Sequence, residues 1–219
     1  YGGHITDFWD RKTNTSYLKH AIQKNKIEFL LLCIDKYGGS ISNALSISCL
    51  EKNKEIAINL LEKGANPNVP MFDMIINKDT AFVSLLLKYD ASAKGKGLIN
   101  KSIEKQSLAI VKILVANGAD ADDGIIKAIE NQSLEITSFL LPLSDTTNEE
   151  LIKAASSREN IKILQLLLKF GSSPQDGIWP AIKSNKEKNV ALLIENGADV
   201  NFDDFLLTSI NNENLEICK

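Results

Sequence analysis

The chain has 219 residues, 44% of them hydrophobic and 6% aromatic, with a net charge of −3 and a pI near 5.5. That is ample aliphatic material for an interior, and it leaves no strong basic field to hold nucleic acid or an acidic membrane surface. The longest apolar runs, such as Phe29 to Ile34, are far too short to span a bilayer. Cys33, Cys49 and Cys218 are odd in number and loosely spaced, so no disulfide framework is expected. They fit a reducing compartment: cytoplasmic or otherwise intracellular, or a host cytosol if the protein is a microbial effector.

The chain begins at Tyr1, not Met, and stops at Lys219 in the middle of a repeat, so a piece of a longer protein is expected. Residues 1–15, with Phe8-Trp9, fit no repeat and are expected to form an N-terminal extension that caps the array. Residues 16–219 repeat themselves. Gly64, Asp90, Gly118, Ser144, Gly171 and Gly197 mark equivalent positions, with steps of 26, 28, 26, 27 and 26. A fixed period of this size means stacked supersecondary units, the last of them truncated, and lowers the odds of an enzyme.

Each unit predicts two helices. The first carries an apolar, a small and an apolar residue at 0, +3 and +4, one face of an α-helix. In chain order the leading positions are Leu18, Leu45, Met71, Ile99, Ile125, Ile152, Ile178 and Leu206. The following small positions are Ala21, Ser48, Met74, Ser102, Ala128, Ala155, Ala181 and Ser209, of which only Met74 is large. Ser16, Asn43, Gly97, Asp123, Asp176 and Asp204 are expected as caps, with Val69 and Glu150 in the poorer sites. The second helix starts near Glu28, Glu55, Ala81, Ala109, Glu135, Lys162, Lys188 and Glu216. It ends at the marker glycines, where a left-handed cap suits Gly and is better tolerated by Asp90 than by Ser144. The expected fold is all-α: a solenoid of about seven and a half helix-turn-helix units with little or no β-hairpin.

These positions resemble the ankyrin repeat. Leu18, Leu45 and Leu206 match the family leucine, and Ala21, Ala128, Ala155 and Ala181 its first small residue. Leu134-Glu135-Ile136 and Gly197-Ala198-Asp199-Val200-Asn201 match the second helix and the closing loop. The family histidine is absent from every repeat; Phe72 and Trp179 are among the residues in its place. The family repeat is roughly 33 residues long. Here the missing residues fall in the inter-repeat connection, so short loops are expected instead of projecting hairpin fingers.

No catalytic constellation is present. His4 and His20 have no Cys or carboxylate pair at ligand spacing, and Cys33 and Cys49 lack two further metal ligands. Asp120 to Gly124 resembles the start of a calcium loop, but its glycine is one position early and Asn131 stands where a glutamate belongs. Lys94 to Gly97 lacks the phosphate-loop pattern. Ser102 to Lys105 and Ser16 to Lys19 match only the short Ser-x-x-Lys pattern. No catalytic residue, cofactor, metal, nucleic acid or membrane insertion is therefore expected.

What the resemblance implies is a noncatalytic scaffold that binds a protein partner on its concave helix face. Its contact positions fall on Lys24, Leu50, Phe72, Ile76, Lys105, Glu130, Arg158, Trp179 and Lys183. Leu50 and Ile76 are apolar in a row otherwise mostly polar, and aromatics such as Phe72 and Trp179 anchor interfaces unless they simply fill the histidine's space. The alternative is a structural or regulatory arm of a larger enzyme, toxin, channel or effector. Pro142 to Glu150 is the most disturbed joint, either a hinge or contact loop or a local defect in stacking.

Overall fold

The computed structural model describes residues 11–37, 39–95 and 97–201. They form fourteen α-helices in seven consecutive pairs and no strand. The pairs are α1 (Arg11–Gln23) with α2 (Ile27–Tyr37), α3 (Ile41–Leu50) with α4 (Lys54–Glu62), and α5 (Met71–Ile76) with α6 (Thr80–Lys88). Next come α7 (Leu98–Glu104) with α8 (Leu108–Ala116), and α9 (Asp122–Glu130) with α10 (Leu134–Leu140). The last are α11 (Glu149–Ser156) with α12 (Ile161–Lys169), and α13 (Pro174–Lys183) with α14 (Glu187–Glu195). The expected cap residues Phe8-Trp9 and the last half-repeat lie outside the described residues.

The chain divides into two compact units. Of the described residues, one takes those up to Lys101 together with Ala116–Gly118; the other takes Ser102–Val115 and those from Ala119 onward. Within the first, α3 packs on α1, α4 and α5. Within the second, α11 packs on α9, α12 and α13, and α12 also meets α10 and α14.

The repeated apolar and small residues make the core. All three positions of every described first helix are buried, from Leu18, Ala21 and Ile22 to Ile178, Ala181 and Ile182. The small middle residue lets first helices approach closely. Gly177 extends this: a Cβ there would run into Ser156 Oγ and come within 3.1 Å of Ile152 and Leu193. Burial of one such Ile or Leu stabilises by about 1.5–3 kcal/mol, and the partner side chain is supplied by the neighbouring repeat.

Each second helix starts one residue before its predicted point, at Ile27, Lys54, Thr80, Leu108, Leu134, Ile161 and Glu187. Gly64, Gly118, Gly171 and Gly197 all have φ between 87° and 96°, and Asp90 has φ 63°. Ser144 refuses that conformation, with φ −107° and ψ 161°; a 3-10 turn over Leu141–Leu143, opened by Pro142, ends that helix instead.

The first-helix caps differ from expectation. Gly97 does precede its helix, but Asn43, Asp123, Glu150 and Asp176 lie inside theirs, and Ser16 lies inside α1. The short connections let these helices begin up to a turn earlier, or more for α1. The side chains of Ser40 and Asn148 accept from the Asn43 and Glu150 amides, and Ser173 precedes Pro174. Asp123, Glu150 and Asp176 then occupy first turns, where a carboxylate meets the positive end of the helix dipole.

Two features hold the short connections without hairpins. Between the helices of a pair, Asn25, Lys52, Lys78, Gln106, Gln132 and Asn185 take left-handed φ of 52–58°. Between pairs, a side chain near the start of one first helix accepts an amide from the next loop. Ser42 accepts from Asn66 (3.0 Å), Asn68 from Ser92 (2.7 Å), Asp122 from Asp145 (2.8 Å) and Gln175 from Asp199 (2.7 Å). These bonds satisfy loop amides that a strand partner would otherwise take.

Candidate interaction surface

The two units carry different surfaces. In the first, Leu50 ends α3 and is 50% exposed, while Phe72 and Ile76 on α5 are 42% and 37% exposed. Phe72 and Ile76 are four residues apart and so share a helix face. Lys101 Nζ sits 5.5 Å from the Phe72 ring centroid. A hollow of about 400 Å³ opens beside this row, lined by Cys49, Leu50, Lys52, Met74, Asn77 and Asp79. Lys24 is exposed in the turn after α1. Beside it Glu51 is tied down: it pairs with Lys19 at 2.9 Å and accepts from Gln23 at 2.8 Å, and both bonds hold its carboxyl below the usual range.

In the second unit the same row is polar. Glu130 is exposed and lies 3.7 Å from Lys127. Lys105 is half-buried in the turn after α7. Trp179 is half-buried, with Lys183 Nζ 5.2 Å from its ring centroid, a cation–π pair that shields the ring from above. Arg158 is exposed and lines a hollow of about 290 Å³ with Glu159, Lys186 and Lys188. That hollow is spanned by the 3.0 Å Lys186–Glu159 pair, which lowers the Glu159 pKa. The structure thus groups Leu50, Phe72 and Ile76 in the first unit. Trp179 and Lys183 pair in the second, where Arg158 borders a separate charged hollow.

One important residue was missed in sequence. Asn189 on α14 is 2% exposed, and its Nδ2 donates to the carbonyls of Ser156 (2.9 Å) and Arg158 (2.7 Å). The turn it serves, in the sixth pair, has no left-handed residue. The signal was a polar residue inside the apolar stripe of a second helix, between Lys188 and Val190.

Burial pushes the Cys49 thiol up to about 12 and raises that of Cys33. Among the described residues no cluster of three His, Cys, Asp or Glu side chains stands at metal-binding distance, and no helix is long and apolar enough to cross a membrane.

No family model matches the chain, and no curated protein matches it in sequence. The solved structures do. The human ASB11 ankyrin repeat domain superposes with a TM-score of 0.63 at 20% identity, covering 83% of this chain and 98% of that one. The chain has an ankyrin-repeat fold. Within that fold the array is all-helical among the described residues, with side-chain acceptors holding the loops between pairs.

Proposed function

We propose that this chain is a noncatalytic interaction module that binds a protein partner through the exposed face of its first helices, in an intracellular compartment. One observation carries the reading: in the first unit Leu50, Phe72 and Ile76 stay 37–50% exposed on first helices whose other apolar residues are mostly buried. Exposed aliphatic and aromatic groups clustered on a rigid, repeated support are what an interface centre requires. The supporting chemistry is the same at each of these residues, with buried neighbours at −1 or +3 fixing the backbone that presents them. Affinity on this reading rests on shape and burial.

The test is affinity capture with the intact chain and with the Leu50→Ala, Phe72→Ala, Ile76→Ala triple variant. A specific partner held by the intact chain should lose at least tenfold in affinity to the variant, since an interface anchor typically costs ~1–4 kcal/mol when truncated. Circular dichroism should show the variant folded, because all three side chains are partly exposed. Unchanged capture by a folded variant would place the interface elsewhere.

A further inference from the structure

We infer that residues 1–10 fold back over the open end of the array, with Phe8 and Trp9 seated on Tyr17, Phe29 and Leu32. This is independent of the reading above, since the receiving side chains lie on α1 and α2 and not in the row of Leu50, Phe72 and Ile76. The array buries one side of each pair against the pair before it, and α13 and α14 show which positions face that way. Asn189, the third residue of α14, bonds to carbonyls of the sixth pair, and a Cβ on Gly177 would meet Ser156 and Ile152 of that same pair. The third residue of every later second helix is buried: Ile56, Phe82, Ile110, Ile136, Ile163 and Asn189 are 6% exposed or less. Phe29 holds that place in α2 and is 52% exposed. The place of Gly177, one before the leading apolar residue, is filled in the other later pairs by Ala44, Pro70, Leu98, Gly124 and Leu151, all buried. Tyr17 holds it in α1 and is also 52% exposed. Leu32, three residues beyond Phe29 on the same helix face, is 48% exposed, whereas its equivalents in all later pairs are buried or half-buried. An interface that the next six pairs all close thus stands open at α1 and α2 among the described residues.

The chain itself carries a segment suited to this face. Helix α1 begins at Arg11, so residues 1–10 join the array beside it. Ile5, Phe8 and Trp9 stand at 0, +3 and +4, the spacing that places three apolar groups on one helical face, with polar Thr6, Asp7 and Asp10 around them. The reach is sufficient. Tyr17 lies about 9 Å along α1 from Arg11 and α2 packs about 8–10 Å from α1, while ten residues span about 15 Å as a helix and about 33 Å extended. Ten residues are too few for a further pair, since the pairs repeat every 26 to 28. Tyr17 points the same way. It is larger than any residue in the equivalent places and carries a hydroxyl, which suits the wet edge of a thin cover and not the floor of another close-packed pair. The end of a stacked array needs such a cover, because its last apolar face has no neighbour to bury it.

Hydrogen exchange of the full chain, read by mass spectrometry, is compared with that of Phe8→Ala, Trp9→Ala. Amides of α1 and α2 should exchange at least ~tenfold faster in the variant, and those of α5 and α6 at parental rates. In a chain already carrying Phe29→Ala and Leu32→Ala, the same two substitutions should change α2 exchange by less than ~twofold, because their seat is gone. Phe29 and Leu32 are about half exposed, so circular dichroism should show that chain folded. A second measurement does not depend on stability. The chain has two tryptophans, so Trp9 is the one left in Trp179→Phe. Acrylamide should quench it several-fold less than a free tryptophan peptide, and adding Phe29→Ala with Leu32→Ala should remove most of that protection. Quenching of Trp9 equal to that of the free peptide, or unchanged α1 and α2 exchange in Phe8→Ala, Trp9→Ala, overturns the inference. A dimer in sedimentation velocity that Phe29→Ala with Leu32→Ala dissolves gives the face to a second copy of the chain and overturns it as well.

Discussion

Gly177 shows how a single missing methyl group sets the closeness of two repeats. It sits inside α13, where helix propensity alone favours alanine by ~1 kcal/mol. Against that gain, an added Cβ meets the Ser156 hydroxyl and presses on Ile152 and Leu193, and overpacking of this kind costs ~1–3 kcal/mol. The clash should win, so Gly177→Ala is expected to lower stability by up to ~2 kcal/mol in urea unfolding. Ser156 is fully buried and its hydroxyl has no hydrogen-bond partner. Replacing it with alanine removes both the clash and an unpaired polar group. The double variant Ser156→Ala, Gly177→Ala should therefore recover the loss and exceed the parent. If Gly177→Ala alone proves as stable as the parent, the close approach is not setting the packing.

At the scale of the element, the end of each second helix is decided by whether its marker residue can go left-handed. Asp90 does so at φ 63° and bears the cost of a Cβ there; Gly64 and Gly197 do so without one. Asp90→Gly should raise stability by ~0.5–1 kcal/mol, because it relieves a strained cap. Ser144→Gly should do the opposite. Its residue is extended, at φ −107°, so glycine there brings only added freedom to the unfolded chain and loses the Ser144 hydroxyl bond to the Leu140 carbonyl. Thermal melts of the two variants should shift in opposite directions. A shift of the same sign in both would mean that the 3-10 turn over Leu141–Leu143 is not a separate solution to ending a helix. Helix positions and marker conformations were legible in the sequence because period and backbone sterics fix them locally. The first-helix caps were not. A cap at Ser40 instead of Asn43 depends on where the short preceding connection delivers the chain, which no residue within the helix records. Asn189 was missed for the same reason: its role is to serve carbonyls 31 and 33 residues earlier. The candidate surface was half legible. Leu50 and Ile76 stood out as apolar in a mostly polar row and Phe72 as an aromatic in the histidine's place, whereas the hollow that Leu50 shares with Met74 and Asn77 became visible only in three dimensions.

For the whole molecule, the repeat means that stability is a sum of local interfaces, each helix depending on its neighbours in sequence. The helix that carries buried Ile129, α9, packs on α10 and α11, as α3, which carries buried Cys49, packs on α4 and α5. Damage should therefore stay local. Ile129→Asp places an unpaired carboxylate in a fully buried site, at a cost of ~3–5 kcal/mol before the site opens to water. A single-core protein would lose protection everywhere by that amount. A stacked array should instead let the injured repeats open and keep the distant ones closed, since their interfaces are untouched. Hydrogen exchange with mass-spectrometric readout separates the two. In Ile129→Asp, amides of α9, α10 and α11 should exchange faster by about two orders of magnitude or more, while those of α3 and α4 should keep nearly parental rates. Uniform acceleration from α3 to α13 would show that the chain opens as one cooperative block. Then the face carrying Leu50 and Ile76 would be sensitive to any core lesion, and losses of binding in surface variants would need correcting for global stability before they were assigned to contact.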